Sequence, residues 1–425
     1  MSKLCFIFLV VFLFCTNSEL MAQNSTTPQQ YQEDFEYLCK EINDSYAYFD
    51  KKQTDWSKVP EIYQPMLKNI KNEKDFIRLL ESVMAELYDF HATLGVNTAL
   101  SPSLVPTGAD LWAKWTPPND KAIITEVRAG SAAEQAGLKV GMQVISVDGI
   151  VVDKAIDKYI GKSLRTVDQT IRNWALLALL AGNHTQTRIL EIKDKGQLKK
   201  FSLSKQIPEQ ANKSLLEYRR LEKDIGYIRF NNSLGENDLI KEFDLALLEL
   251  KNTKGLILDL RNTPSGGSTT VARAIMSRFI SQEMPYQKHS IPAEERMFGV
   301  KRSWLEIVSP RGEFIYKSPI VVLVDHWTGS MGEGIAIGMD GMKRVTVVGT
   351  EMAGLSGAVY DITLPNTKFV VKFPVEKLFH VNGTPREDFV PPVFVDLLSE
   401  ENQNKVDPIL SVGLQTIVKY STQPL

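Results

Sequence analysis

Apolar positions recur along this chain with two different periods, and the change of period divides it. From Phe35 the spacing is helical: Phe35, Leu38, Ile42 and Tyr46 share one face. A second helix is expected over Asp75 to Leu87, with Phe76, Leu79, Leu80, Val83, Met84 and Leu87 on one side, ending at Tyr88-Asp-Phe-His91. Residues 23 to 34 are polar and are expected to be loose. Residues 30–100 are therefore assigned to an N-terminal helical cap domain.

Beyond residue 105 the period shortens to that of strands. Ala122-Ile-Ile-Thr-Glu-Val127 predicts a strand, Ser131-Ala-Ala-Glu134 a capping box on a short helix stopped at Gly137, and Met142-Gln-Val-Ile-Ser-Val147 a strand turned by Asp148-Gly149. Together with Gly130-Ser-Ala-Ala-Glu-Gln-Ala-Gly-Leu-Lys-Val-Gly-Met142, this order resembles a PDZ domain, assigned to residues 105–205. Such domains bind extended C-terminal peptides by strand addition; a unit that only packs against its neighbours is the alternative.

Residues 206–425 alternate strand and helix: strands at 225–230, 255–260, 320–324 and 344–349, helices at 238–250, 268–280 and 332–342. A hairpin, 359–364 with 369–373, turns at Pro365-Asn-Thr-Lys368. This succession of βαβ units predicts a mostly parallel sheet covered by helices, an α/β core.

Sites in such sheets form at the carboxyl ends of strands. Two strand ends carry chemistry. Ile320-Val-Val-Leu-Val-Asp325 runs into His326-Trp-Thr-Gly-Ser330-Met-Gly-Glu333, placing Ser330 where a helix begins. Gly255-Leu-Ile-Leu-Asp-Leu260 runs into Arg261-Asn-Thr-Pro-Ser-Gly-Gly267. A serine at a strand-to-helix turn beside exposed backbone amides can act as nucleophile and oxyanion hole. Met331 N–H is one candidate donor, and Gly266 or Gly267 supplies a second, since a residue without Cβ lets backbone approach a ligand. Ser330 could equally serve only as an N-cap. Glu333, one turn into the helix, could touch a substrate amine or favour the helix N-terminus. A serine nucleophile needs a base among the 5 histidines; periodicity does not choose between His326, nearest in sequence, and His91, at the end of a helix.

The length of 425 residues implies two or three domains, and the formal net charge of -2 argues against nucleic acid as a partner. Lys3, the apolar run Leu4 to Phe14 and Leu20-Met-Ala22-Gln23 have the form of a signal peptide, residues 1–22, cleaved after Ala22. That implies a secreted or periplasmic protein with no transmembrane span in the mature chain. Lipidation at Cys15 is an alternative, although Val11-Phe-Leu-Phe14 lacks the small residues expected before such a cysteine. Of 3 cysteines, only Cys39 follows the signal, so no internal disulfide is expected, and no Cys/His cluster suggests a metal. No cofactor is implied.

Over nearly the whole mature chain, the motifs resemble the C-terminal processing (tail-specific) peptidases and their tricorn-type relatives. They are Asp259-Leu-Arg-Asn-Thr-Pro-Ser-Gly-Gly267, Ser330-Met-Gly-Glu333 and Gly349-Thr-Glu-Met-Ala-Gly354, in that order behind a helical cap and a PDZ. The resemblance implies a ClpP/crotonase-like core with an inserted PDZ-like domain, and a serine peptidase acting on peptides or unfolded protein tails. Bacterial members use a Ser-Lys dyad, but Leu355 stands at the lysine position, and Lys343 and Lys372 have no motif support. The tricorn-like branch takes its histidine from the cap and orients it with a late glutamate. That implies His91 as base and Glu387, with Asp388 second, as orienting carboxylate in Gly383-Thr-Pro-Arg-Glu-Asp-Phe-Val-Pro-Pro392. A non-catalytic binding protein of the same fold, for peptides or small molecules, and a PDZ-bearing scaffold are the other readings.

Overall fold

In this computed structural model, residues 26–118, 120–204 and 214–421 are described. The expected signal segment, with Ala22 and Cys15, lies outside the described residues.

The described residues form three sheets. The central one has six strands in the order Val393–Phe394, Thr346–Gly349, Ile320–Val324, Gly255–Asp259, Ile225–Phe230 and Leu216–Leu221. All pair in parallel except Leu216–Leu221, which runs antiparallel at the edge. Strands 255–259 and 320–324 are buried at every position because helices cover both faces, which is why their sequence, Asp259 apart, is apolar rather than alternating. One face packs on helices Leu239–Glu249, Thr269–Met276 and Met331–Gly341 through Phe243, Ile275 and Ile335. The other packs on helix Pro408–Ser421 through Ile409 and Ile417. In register, Asp259 lies beside Leu323, so the two strands end level and release their turns side by side.

The expected elements occur with shifted ends. Helix 268–280 is α-helical only over Thr269–Met276, capped by Ser268, and tightens to a 3-10 turn at Ser277–Phe279. The stretch before Phe35 is a correction: a helix runs over Pro28–Ser45, with Thr27 accepting from the Gln30 amide and proline at its first position. A Thr-Pro-x-Gln start is a helix signal that outweighs polar composition. Helix Gln169–Ala181, capped by Asp168, had no sequence expectation because its apolar run Ala175–Ala181 has little amphipathic contrast; it is buried nearly all round.

The N-terminal helices share a core with the late hairpin: Phe35, Phe76 and Leu80 cluster with Leu364, Phe369, Val371 and Phe373. The short strand Thr93–Leu94 pairs with Val370–Phe379 in a second sheet. Residues 111–203 form the third sheet, antiparallel, with helix Gln169–Ala181 against it. This unit meets the central sheet at Trp327, which is 1% exposed and clusters with Val105, Ala109, Trp112, Leu177, Ala181 and Phe90. Its indole N–H donates to the Ala109 carbonyl at 2.9 Å.

Because Trp327 joins three parts of the chain, truncating it should cost about 3–5 kcal/mol, and Ala109 would lose its donor. Urea unfolding of Trp327→Ala should show a clearly lowered midpoint; an unchanged midpoint would mean that this junction does not stabilise the fold.

Candidate active site

The two turns at the strand ends are zipped together. Thr263 bridges Thr328 in parallel; Thr263 N–H donates to the Trp327 carbonyl at 3.2 Å and Gly329 N–H to the Thr263 carbonyl at 3.3 Å. The hydroxyls of Thr263 and Thr328 both donate to the Leu260 carbonyl, at 2.8 and 3.2 Å. Asn232 braces the glycine turn from the preceding loop: its Oδ1 accepts from Ser265 N–H, and its Nδ2 donates to Ser265 Oγ, each at 2.9 Å.

Ser330 stands where the turn enters helix Met331–Gly341, at φ 50° and ψ -108°. A non-glycine residue in this region is strained and is retained where the surroundings over-determine it. Gly266 (φ 65°) lies directly against it. A Cβ there would fall 2.5 Å from Ser330 Cβ, 2.9 Å from Ser330 Oγ and 3.0 Å from Met331 N. The empty position beside Gly266 thus faces both the hydroxyl and an amide. Among the described residues, the amides of Met331 and Gly267 form no hydrogen bond, whereas Gly266 N–H donates to the Thr263 carbonyl at 3.0 Å. Of the expected donors, Met331 and Gly267 are therefore free, while Gly266 contributes the missing side chain rather than a free amide. Gly267 is bare for another reason: its Cβ would collide with the Leu234 backbone at 2.1 Å.

His91 follows the cap helix and its N–H donates to Asp89 Oδ1 at 2.9 Å, while Tyr46 holds Asp89 Oδ2 at 2.7 Å. Its Nδ1 lies 2.6 Å from the Ser356 carbonyl. A carbonyl only accepts, so Nδ1 carries the proton and Nε2 is the bare, basic nitrogen. Burial, reinforced by the Arg386 guanidinium, pushes the His91 pKa down to about 4. No hydrogen bond joins His91 to Ser330; they are connected through segment 354–357.

Glu387 is not brought to His91. Its carboxylate accepts from Lys51 Nζ at 2.8 Å and from Tyr48 OH at 3.5 Å, and Asp388 pairs with the same lysine at 3.0 Å. The orienting contact expected from a carboxylate is made by the backbone of Ser356. Of this loop, Arg386 turns inward instead, 3% exposed, donating to the carbonyls of Ser330, Leu355 and Gly357 at 3.3, 2.9 and 2.8 Å. His326 is committed elsewhere: Nδ1 bonds Glu126 of the third sheet, and its ring stacks on Trp112 at 4.5 Å. Leu355 is buried, and Lys372 pairs with Asp361 at 3.2 Å. Glu333, fully buried, binds the backbone amides of Ser330 and Gly354. Only the Ser-x-x-Glu spacing hinted at it.

Residues 224–392 match peptidase family S41, and residues 27–85 match the tricorn protease C1 domain. The carboxyl-terminal-processing protease of Synechocystis sp. is 27% identical over 257 residues, 58% of this chain and 52% of that protein. The carboxy-terminal processing protease CtpB of Bacillus subtilis is 24% identical over 337 residues, 77% and 64% of the respective chains. The matches thus span between about half and two thirds of these relatives' lengths. The fold is shared with mature CPAF (TM-score 0.63, 14% identity, 94% and 99% covered) and with the photosystem II D1 C-terminal processing protease (0.53, 18%, 86% and 93%). The strand-end Ser330 and the free amides beside it lie within the segment that matches the peptidase family. Residues 224–392 thus match peptidase family S41, and the relatives found are carboxyl-terminal processing proteases.

Two outcomes follow from this geometry. In Gly266→Ala the new methyl displaces Ser330, so labelling of Ser330 by a serine-reactive phosphonate should slow on the order of 10²-fold, with only a modest loss in unfolding midpoint. Labelling at the wild-type rate would show that the space is not used. Second, because His91 is held below its ordinary value of about 6.5, its uncharged form is favoured by folding. Its contribution is intact above that value and is lost as pH falls toward about 4. Urea midpoints of wild type minus His91→Gln should decline across this window; a flat difference would contradict the burial of a neutral imidazole.

Proposed function

We propose that this chain is a serine endopeptidase that hydrolyses peptide bonds in peptides or unfolded protein tails by an acyl-enzyme mechanism. Ser330 is the nucleophile, His91 the general base, and the N–H groups of Met331 and Gly267, beside bare Gly266, receive the oxyanion. The observation that carries this reading is the strained Ser330 at a helix N-terminus, its hydroxyl facing an empty position that a free amide also faces. The helix N-terminus favours the negative charge that develops there. His91 suits the base because its Nδ1 proton is held by a carbonyl and it stays neutral at pH 7, leaving Nε2 able to take the hydroxyl proton.

In the acylation step, Ser330 Oγ adds to the scissile carbonyl as His91 Nε2 removes its proton. The tetrahedral oxyanion is held by the backbone donors, and the imidazolium then protonates the leaving amine. Water attacks the acyl-enzyme with His91 again as base, and Ser330 is regenerated. The Ser356 carbonyl takes the orienting place for which Glu387 was expected. The His91–Ser330 hydrogen bond forms when substrate is bound, as catalytic hydrogen bonds often tighten only in the Michaelis complex.

The antiparallel unit at residues 111–203 serves, on this proposal, as a PDZ-like module that receives the substrate tail. Its start, Ser131 capping Glu134 N–H at 3.2 Å with Glu134 returning to Gly130 N–H at 2.7 Å, supports the resemblance. The leader-like N-terminus supports secretion or a periplasmic location.

Hydrolysis of casein tests the reading. Ser330→Ala should abolish activity, by about 10⁶-fold, and His91→Ala should reduce it by about 10²–10⁴-fold. Activity surviving in His91→Ala would sink the proposed base. An inert wild type, on casein and on peptides with free C-termini, would favour a binding protein of the same fold.

A further inference from the structure

Two deeply buried charges stand beside Ser330 without a part in the steps above. Glu333 is 0% exposed, and its Oε2 accepts from Ser330 N–H at 2.7 Å. That contact alone would be ordinary for a helix start, where the third residue binds the capping amide. Its Oε1, however, reaches out of the helix to the amides of Gly354 and Leu355, at 2.9 and 3.3 Å. Arg386 lies 3.9 Å from Glu333 and closes the arrangement from the carbonyl side: Nη1 donates to Ser330 O, and Nη2 to Leu355 O and Gly357 O. Ser330 is thus gripped at its amide and at its carbonyl by one ion pair. Leu355 is gripped in the same two ways.

Segment 354–357 also carries the Ser356 carbonyl that holds His91. The nucleophile's turn and the base's holder are therefore tied to one carboxylate and one guanidinium. A buried ion pair is a weak source of stability, because desolvation offsets its attraction. Every hydrogen bond given to these two charges ends on backbone of the two site segments, so what the pair supplies is register between them.

We infer that the Glu333–Arg386 pair is a positioning device that sets the separation of Ser330 from His91. This rests on the reading of Ser330 as nucleophile and His91 as base. Neither side chain touches the reacting atoms; both act through backbone. Leu355 stands where Ser-Lys relatives carry their base, so the segment that would deliver a lysine is here held in place to aim a histidine from the cap.

The test compares the purified chain with Glu333→Gln, Arg386→Lys, Arg386→Gln and the Glu333→Gln/Arg386→Gln double variant, beside Ser330→Ala and His91→Ala. Casein-derived peptide hydrolysis, phosphonate labelling of Ser330 and thermal unfolding are measured for each. Single variants should lose on the order of 10²-fold in kcat with KM little changed, since a displacement near 1 Å at a reacting group costs about that much. Labelling should slow in parallel. Arg386→Lys should not rescue, because an ammonium cannot fork onto three carbonyls. The double variant should be no worse than the singles, as expected of residues acting as one unit. Single variants within about threefold of wild type, with Ser330→Ala and His91→Ala inactive, would overturn the inference, as would losses expressed only in KM. Should Glu333→Gln fail to fold, Arg386→Lys carries the same comparison. A wild type inert to the phosphonate, or an active His91→Ala, would sink the underlying reading of the site and this inference with it.

Discussion

A carboxylate sealed from water beside the Ser330 turn is the constraint on which the rest of the site depends. Glu333 can stay buried only while three backbone amides and the Arg386 guanidinium face it. Burial nonetheless pushes its pKa up to about 7, against the opposing pull of Arg386 and the three amides. Satisfying that one group obliges the turn at Ser330, the loop at Gly354–Gly357 and the loop at Arg386 to meet. Once they meet, the Ser356 carbonyl is in place for His91 and the Ser330 backbone is held in a region it would otherwise avoid.

The central sheet makes this meeting reproducible. Parallel strands ending level at Asp259 and Leu323 release two turns that cross-link through Thr263 and Thr328, so the bare Gly266 arrives against Ser330. The cap reaches the site differently. Its helices share a core with the late hairpin, and that shared core carries His91 to a loop more than 250 residues later in the chain. Trp327, one turn before Ser330, fastens the antiparallel unit to the same strand end. The Ser330 turn, the loop that holds His91 and the antiparallel unit therefore depend on packing that converges within a few residues of Ser330.

Legibility in the sequence followed the range of the interactions. The serine turn and the glycine turn were readable because strand, turn and helix are contiguous and each glycine answers a local steric demand. His91 was not separable from His326 by pattern; only the order of family motifs favoured it, and the geometry accounts for the preference by committing His326 to Glu126. The orienting group was misplaced on Glu387 because a backbone carbonyl leaves no mark on side-chain identity. Arg386, its neighbour, carried no expectation although it is among the most buried groups of the site.

By itself the sequence determined the parallel α/β core, the strand-end placement of Ser330, the bare position at Gly266 and the absence of a lysine at residue 355. These depend on periodicity, on the steric needs of turns and on residue identity, all of which act over a few neighbouring residues. Only the tertiary structure decided that the Ser356 carbonyl holds His91 while His326 is bound to Glu126, and which way Glu333, Arg386 and Glu387 point. Those are choices among partners distant in the chain, made by the burial of charge, and burial is a property of the packed molecule rather than of any segment of it.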